Sequence, residues 1–298
     1  MPLLQSPHWP LWIELYFFLA GLSAGAFIAA GAADLFGREE DQRVVKVGTY
    51  VALLALIPCP ILLALDLGLP QRFWHMLWVF KPYSPMSMGS WALLGYGLLV
   101  VLAAFLTYME RRTPAAAGGV QRRALRTGIG AVGSLFAFFL AAYPGQLLAT
   151  SAQPLWTDAR TMGALFLAIG GATGMATVAL VLSGQGAEAD RSLGRLRRAY
   201  TWALILQAVA LIVTLLVVAG GPPITARALR MLLAGAYAPT FWVGAVILGL
   251  VIPLVLEFRA GFLKGYAGQT RGSLVLATLL ILLGGFLLKL VITSAGQA

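Results

Sequence analysis

Apolar residues run through this chain in long uninterrupted stretches separated by short polar connections. Neither the alternation of a half-buried strand nor the stripe of a soluble amphipathic helix recurs along it. Runs long enough to cross a bilayer, roughly 20 residues each, fall at 11–34, 47–66, 89–109, 127–149, 161–183, 199–219, 239–257 and 272–294. Their interiors are rich in Leu, Ala, Val and Gly and lack the dyad pattern of a membrane barrel. Helices are then the only spanning form that satisfies the backbone. The expectation is an all-α integral membrane protein with eight transmembrane helices arranged as two four-helix bundles. Residues 1–183 would supply helices 1–4 and helix 5, and residues 184–298 would complete the second bundle with helices 6–8. The first ten residues hold no Lys or Arg, which argues against a secretory signal, so the first span is expected to be retained. Small residues at 21–32 and 170–174 predict close helix packing.

Composition agrees: 60% of residues are hydrophobic and only 11% charged, against about 25% charged in a soluble domain. A net charge of +10 would point to nucleic acid in a soluble protein, but here the cations sort by side. Fifteen of the 21 Lys and Arg lie after the first, third, fifth and seventh spans. By the positive-inside rule those connections face the cytoplasm and both termini lie outside. Tryptophan sorts oppositely. Trp9, Trp12, Trp74, Trp78, Trp91, Trp156 and Trp242 all fall at the outer end and Trp202 alone at the inner one. An interfacial belt populates both ends, so this asymmetry points to an outer surface that packs against something. The connection Asp66 to Trp91 is the most distinctive stretch, crowded with Trp, Phe, Met and Pro. It is either an interfacial segment resting on headgroups or a shaped surface covering a site.

The chain offers little to hold a metal. His8 and His75 are its two histidines, both in outer segments, so internal haem is not expected. Cys59 is its one cysteine, too few for an iron–sulfur cluster, which takes four ligands. Redox chemistry must therefore come from a ligand or a partner.

Ionisable groups within spans are expensive and point to function. At 1.5 Å per residue, Glu14 and Tyr16 lie roughly 5–8 Å, and Tyr143 roughly 9 Å, from the outer ends of helices 1 and 4. Asp66 ends helix 2 on that side, near Gln146, Ser151 and Gln153. Together they predict a small outer pocket. Phenol and amide donors there suit the carbonyl oxygens of a quinone, and a carboxylate can take or relay its protons. The bland alternatives are hydration for Glu14, an interfacial anchor for Tyr16 and, for Asp66, capping the helix end or pairing with Arg72. Asp34 and Glu257, near inner ends, and Lys289, within the last span, are candidates for a proton path. Lys289 can alternatively snorkel to the outer interface.

Several motifs in order resemble the NrfD/PsrC family, the polysulfide-reductase and nitrite-reductase type membrane subunits. Helix 1 carries Leu15-Tyr16-Phe17-Phe18-Leu19-Ala20-Gly21. Helix 2 runs into Asp66-Leu67-Gly68, then Pro70, Arg72, Phe73, Trp74 and His75, followed by Ser84-Pro85-Met86-Ser87 and Gly89 to Trp91. Helix 4 contributes Tyr143-Pro144-Gly145-Gln146, followed by Pro154-Leu155-Trp156. The resemblance implies a multi-pass subunit of a bacterial or archaeal cytoplasmic membrane that reacts with ubiquinone or menaquinone and holds no haem or iron–sulfur cluster. It would exchange electrons between the membrane quinone pool and an iron–sulfur partner on the outer face, which serves a molybdopterin or other redox subunit. Quinone-site positions would be Glu14, Tyr16, Asp66, Tyr143 and Gln146. Arg72, Phe73, Trp74, His75, Lys81, Pro85 and Trp156 would form the docking surface. Leu69 departs from the pattern, standing where a basic residue commonly follows Asp-Leu-Gly. Readings from other classes are a permease and a purely structural anchor.

Overall fold

The computed structural model describes residues 9–67, 69–112, 119–151, 153–157, 159–185, 190–264 and 271–297. Among them eight helices are long and apolar enough to cross a membrane, and they correspond one for one to the eight apolar runs. The first span is α1 (Leu11–Phe36), which starts after Pro10 and stops at Gly37. The second is split into α2 (Gln42–Leu56) and α3 (Pro58–Leu65). Pro58 and Pro60 have no N–H to give the carbonyls four residues back, so the hydrogen-bond ladder breaks at Ile57.

The connection that follows is not extended chain. It forms a 3-10 turn, Pro70–Arg72, and a single turn of helix, α4 (His75–Trp78), before the third span, α5 (Pro85–Arg112), begins. The fourth span lies in α6 (Gly119–Ala149), which continues through Pro144. A short α7 (Pro154–Thr157) leads to the fifth span, α8 (Met162–Ser183), and α9 (Asp190–Ala219) holds the sixth. The connection 220–238 contains an amphipathic helix, α10 (Pro223–Ala234). The seventh span begins as a π-helical segment, Thr240–Val251, and continues as α11 (Ile252–Lys264); α12 (Arg271–Gln297) is the eighth.

Two helices are central. α1 packs on α2, α6 and α8, while α8 also packs on α6, α9 and α12. The two predicted small-residue stretches meet at the α1–α8 crossing, where a Cβ on Gly25 or Gly174 would strike the opposing backbone. The π-helical segment crosses α12 in the same way, with Gly249 against Gly284. Glycine lets backbones approach where apolar side chains gain nothing over lipid. The outward faces carry large apolar side chains instead, among them Leu98, Leu135, Leu206 and Leu216, as a lipid-facing surface requires.

At the Arg-rich end, Arg126 of α6 joins Asp34 of α1 at 2.6 Å and also Glu110 of α5, with Gln42 accepting a further bond at 2.8 Å. Arg197 of α9 grips Glu257 of α11 through two bonds of 3.0 Å, and the Tyr200 hydroxyl donates to the same carboxylate at 2.6 Å. Each pair is desolvated and hydrogen-bonded on both partners, the condition under which a buried ion pair is tolerated. At the Trp-rich end, Trp9 stacks on Trp156 with centroids 5.4 Å apart. The Trp9 N–H donates to Gln297 Oε1 at 2.7 Å, and Trp156 Nε1 donates to the Ile292 carbonyl at 3.1 Å. This clasp ties the chain before α1 to α7 and to the end of α12.

Candidate functional site

Near the Trp-rich end, four helices leave a cavity of about 240 Å³ lined by Trp9, Ile13, Tyr16, Phe17, Leu63, Asp66, Leu67, Met86, Gly89, Ser90, Tyr143 and Leu147. The lining follows helical spacing. α1 contributes Ile13, Tyr16 and Phe17; the end of the second span and the two residues after it give Leu63, Asp66 and Leu67; the first turns of α5 give Met86, Gly89 and Ser90. Each set stands at i, i+3 and i+4, and α6 adds Tyr143 and Leu147 at i and i+4. Such positions share one face of a helix, so four single faces enclose the cavity.

Three of the five expected quinone-site residues meet there: Tyr16, Asp66 and Tyr143. Tyr16 and Tyr143 are both buried, at 2% and 7% exposure. Tyr143 stacks on Phe139, centroids 5.9 Å apart, and its hydroxyl end lies against Gly89. A Cβ at Gly89 would overlap the phenol ring, so the first turn of α5 accepts this ring only with glycine at that position. Ser90 turns its hydroxyl to the Ser87 carbonyl at 2.9 Å. Asp66 caps the end of α3, just outside the span, and partial burial pushes its carboxyl above the ordinary carboxylate range. Among the described residues no ion pair links it to Arg72, so the expected acid–cation alternative does not form.

The other two lie elsewhere. Glu14 stands about 200° around α1 from Tyr16 and faces α12, where its Oε1 accepts a bond from the Ser294 hydroxyl at 3.2 Å. Gln146 lies on the side of α6 that meets the start of α8, its amide close to Gly163. Depth along a helix was legible in the sequence for both; direction around it separates them from the cavity.

Arg72, Phe73, Trp74, His75 and Lys81 are exposed, and Pro85 begins α5 partly covered. Trp74 stacks on His75 at 3.8 Å, and a His75 ring nitrogen lies 3.2 Å from the Arg72 carbonyl. Trp156 is a correction to the expected docking surface. Its ring is fully buried under Trp9 with its N–H bonded internally, so it fastens the fold and presents nothing outward. His8 lies outside the described residues.

The residues expected on a proton path, Asp34, Glu257 and Lys289, are each engaged by neighbours. Asp34 is held by Arg126, Thr127 and Gln42, and Glu257 by Arg197 and Tyr200. Neither is the freely hydrated inner acid that the sequence suggested. Lys289 does not snorkel: it is buried, donates from Nζ to the Phe17 carbonyl at 2.7 Å and lies 5.0 Å from the centre of the Phe166 ring.

Sequence reasoning missed Gly89 and Ser90 as cavity residues, although Met86, Gly89 and Ser90 at i, i+3 and i+4 are the available signal. Trp9 was placed only among the tryptophans of the outer end. Among the described residues no group of three or more His, Cys, Asp or Glu could hold a metal ion. The cavity's chemistry is two phenols, a carboxyl and a hydroxyl on apolar walls. It can donate hydrogen bonds to the oxygens of a flat apolar ligand and exchange protons with it, with one group, Asp66, close to the surface.

A family model described as polysulphide reductase, NrfD, matches residues 4–298. The chain is 28% identical to a polysulfide reductase chain of Wolinella succinogenes, over 97% of this chain and 94% of that protein. It is 26% identical to the protein NrfD homolog of Haemophilus influenzae over the same shares, 97% and 94%. A shorter match, 36% identical over 31% of this chain and 22% of the relative, is to a selenate reductase subunit of Mesobacillus selenatarsenatis.

Proposed function

The chain belongs to the polysulphide reductase NrfD family, and on that premise we propose that it is the quinol-reactive membrane subunit of a respiratory oxidoreductase complex. It exchanges electrons between the membrane quinone pool and an iron–sulfur partner subunit, through which a molybdopterin or other redox subunit is served. In this reading the Trp-rich end is the outer face, both termini lie outside, the eight spans form two groups of four, and the chain itself holds no haem or iron–sulfur cluster. The observation that carries the reading is the convergence of Tyr16, Tyr143 and Asp66 on one cavity at the end where the exposed segment Arg72–Lys81 lies.

The substrate is a quinol or, in the reverse direction, a quinone. Oxidation of the quinol releases two electrons and two protons. The Tyr143 and Tyr16 phenols donate hydrogen bonds to the ring oxygens, and the Asp66 carboxylate accepts the two protons one after the other and passes each outward from its exposed position. Apolar walls from Ile13, Phe17, Leu63 and Leu147 exclude water from the ring. Arg72, Phe73, Trp74, His75, Lys81 and Pro85 form the docking surface for the partner, directly above the route the electrons take.

Replacing Tyr143 with Phe removes one neutral hydrogen bond, worth about 1 kcal/mol, from a position where it also aligns the ring. Quinol-dependent turnover of the purified complex is expected to fall roughly tenfold, with subunit stoichiometry unchanged. Unaltered turnover in a correctly assembled Tyr143→Phe complex would remove this cavity from the reaction.

A further inference from the structure

A second hollow adjoins the first. A groove of about 320 Å³ runs along the lipid-facing side between the second and third spans, lined by Leu56, Pro60, Leu63, Ala64, Leu67, Phe73, Ser90, Leu93, Leu94, Gly97, Leu98 and Val101. Leu63, Leu67 and Ser90 line both hollows, so one thin wall of three side chains separates them. The groove exists because the second span is broken. α2 packs on both α1 and α5, whereas α3, beyond the prolines, keeps its packing on α1 and draws away from α5. Gly97 widens the gap further: a Cβ there would meet nothing nearer than Leu56 at 3.7 Å.

The two hollows differ in chemistry. Tyr16, Tyr143 and Asp66 belong only to the inner one, and among the described residues Ser90 is the one polar side chain in the groove's lining. At about 240 Å³ the inner cavity falls below the roughly 300–1,000 Å³ of typical ligand pockets, which leaves no room for a long lipid chain beside a ring. A larger groove of about 520 Å³ lies between α5 and α6, lined by Trp91, Leu135, Phe136 and Phe139 among others, but it shares no residue with the inner cavity.

We propose that the groove between the second and third spans is the binding track for the polyisoprenoid tail of the lipid quinol whose ring occupies the inner cavity, with Leu63, Leu67 and Ser90 as the threshold the ring crosses on entering from the bilayer. The proposal rests on the quinol-reactive reading above. The tail is branched, wholly apolar and attached directly to the ring, so it must leave the cavity through a wall that is itself apolar and opens to lipid. The groove is such an exit, and it shares its wall with the cavity.

The test compares two substrates carrying the same ring, one with a short alkyl substituent and one with a full isoprenoid tail, on the intact complex. Gly97→Leu and Ala64→Phe each fill the groove without touching Tyr16, Tyr143 or Asp66. The expected result is a KM for the tailed quinol raised about tenfold, with the short-chain quinol oxidised as by the native complex. Equal kinetics with both substrates in either variant, whether unchanged or equally slowed, overturns the track. A quinone with a photoreactive diazirine at its tail end supplies a measurement free of any variant. Cross-links to Leu56, Pro60 or Ala64, which line this groove alone, support the track, and cross-links to 135–139 overturn it in favour of the other groove. If the native complex oxidises neither quinol, the quinol-reactive reading itself fails, an outcome distinct from an undiscriminating groove.

Discussion

Asp66 is the group whose chemistry is most directly exposed to measurement, because it lines the cavity, reaches the surface and makes no salt bridge among the described residues. Burial lifts its carboxyl above the ordinary value, near 3.9 in model peptides. The fold thus favours the neutral acid: this group's small stabilising contribution is present below the unfolded value and is lost as pH rises through the folded one. Proton acceptance has the opposite dependence, since the acceptor is the carboxylate. Quinol oxidation is expected to rise with pH through the elevated Asp66 value, and Asp66→Asn is expected to abolish that limb and lower the plateau at least tenfold; an Asn variant with the native profile would exclude Asp66 as acceptor. Gly89 bears on the same site. A methyl group there displaces the Tyr143 phenol, so Gly89→Ala is expected to depress turnover as much as Tyr143→Phe while leaving expression near normal. Glu257 makes a contrasting prediction. Glu257→Gln removes the negative charge that both guanidinium bonds of the buried Arg197 reach, a loss of about 3–5 kcal/mol, so the chain should lose thermal stability. Glu257→Gln with Arg197→Met should recover part of it, as a thermal-shift assay in detergent would read.

At the scale of elements, the second span does most to shape the site. Pro58 and Pro60 break its ladder, and the consequence was not legible in the sequence: α3 parts from α5 while keeping its hold on α1, which opens the lateral groove. Replacing both prolines with Ala restores the missing donors and lets one hydrogen-bond ladder run through the second span. The expected outcome is a chain at least as heat-stable as the native one that oxidises lipid quinol more slowly, read by a thermal shift and a turnover assay on the same preparation. Faster oxidation by the straightened helix would show that the break serves another end. The eight spans themselves were readable because lipid imposes length and apolarity on every one of them. Direction around each helix was not. Tyr16 and Glu14 are two residues apart in the sequence and face different helices, because no amphipathic stripe marks the buried side when both lipid and core are apolar. Trp156 shows the same blindness: it falls at the Trp-rich end with the other tryptophans, yet its ring is consumed by packing on Trp9, a partner from the start of the chain.

Across the whole molecule, polar chemistry is divided between two ends. The Arg-rich end uses its acids against its arginines, with Asp34 on Arg126 and Glu257 on Arg197, so those charges fasten spans together. The Trp-rich end leaves Tyr16, Tyr143 and Asp66 around an open cavity beneath an exposed aromatic segment. Charge sorting made the two ends visible in sequence. It did not distinguish cations that bind carboxylates in the interior from cations that merely lie at the surface of that end. If the division is functional, electrons pass between a quinol in this cavity and a metal centre docked above it. The decisive experiment adds quinol anaerobically to the purified complex and follows the iron–sulfur partner by electron paramagnetic resonance. The prediction is a reduced-cluster signal that appears rapidly in the native complex and, in keeping with the loss of an aligning hydrogen bond, roughly tenfold more slowly with Tyr143→Phe. A cluster that stays oxidised, or one reduced equally fast in both complexes, would contradict it.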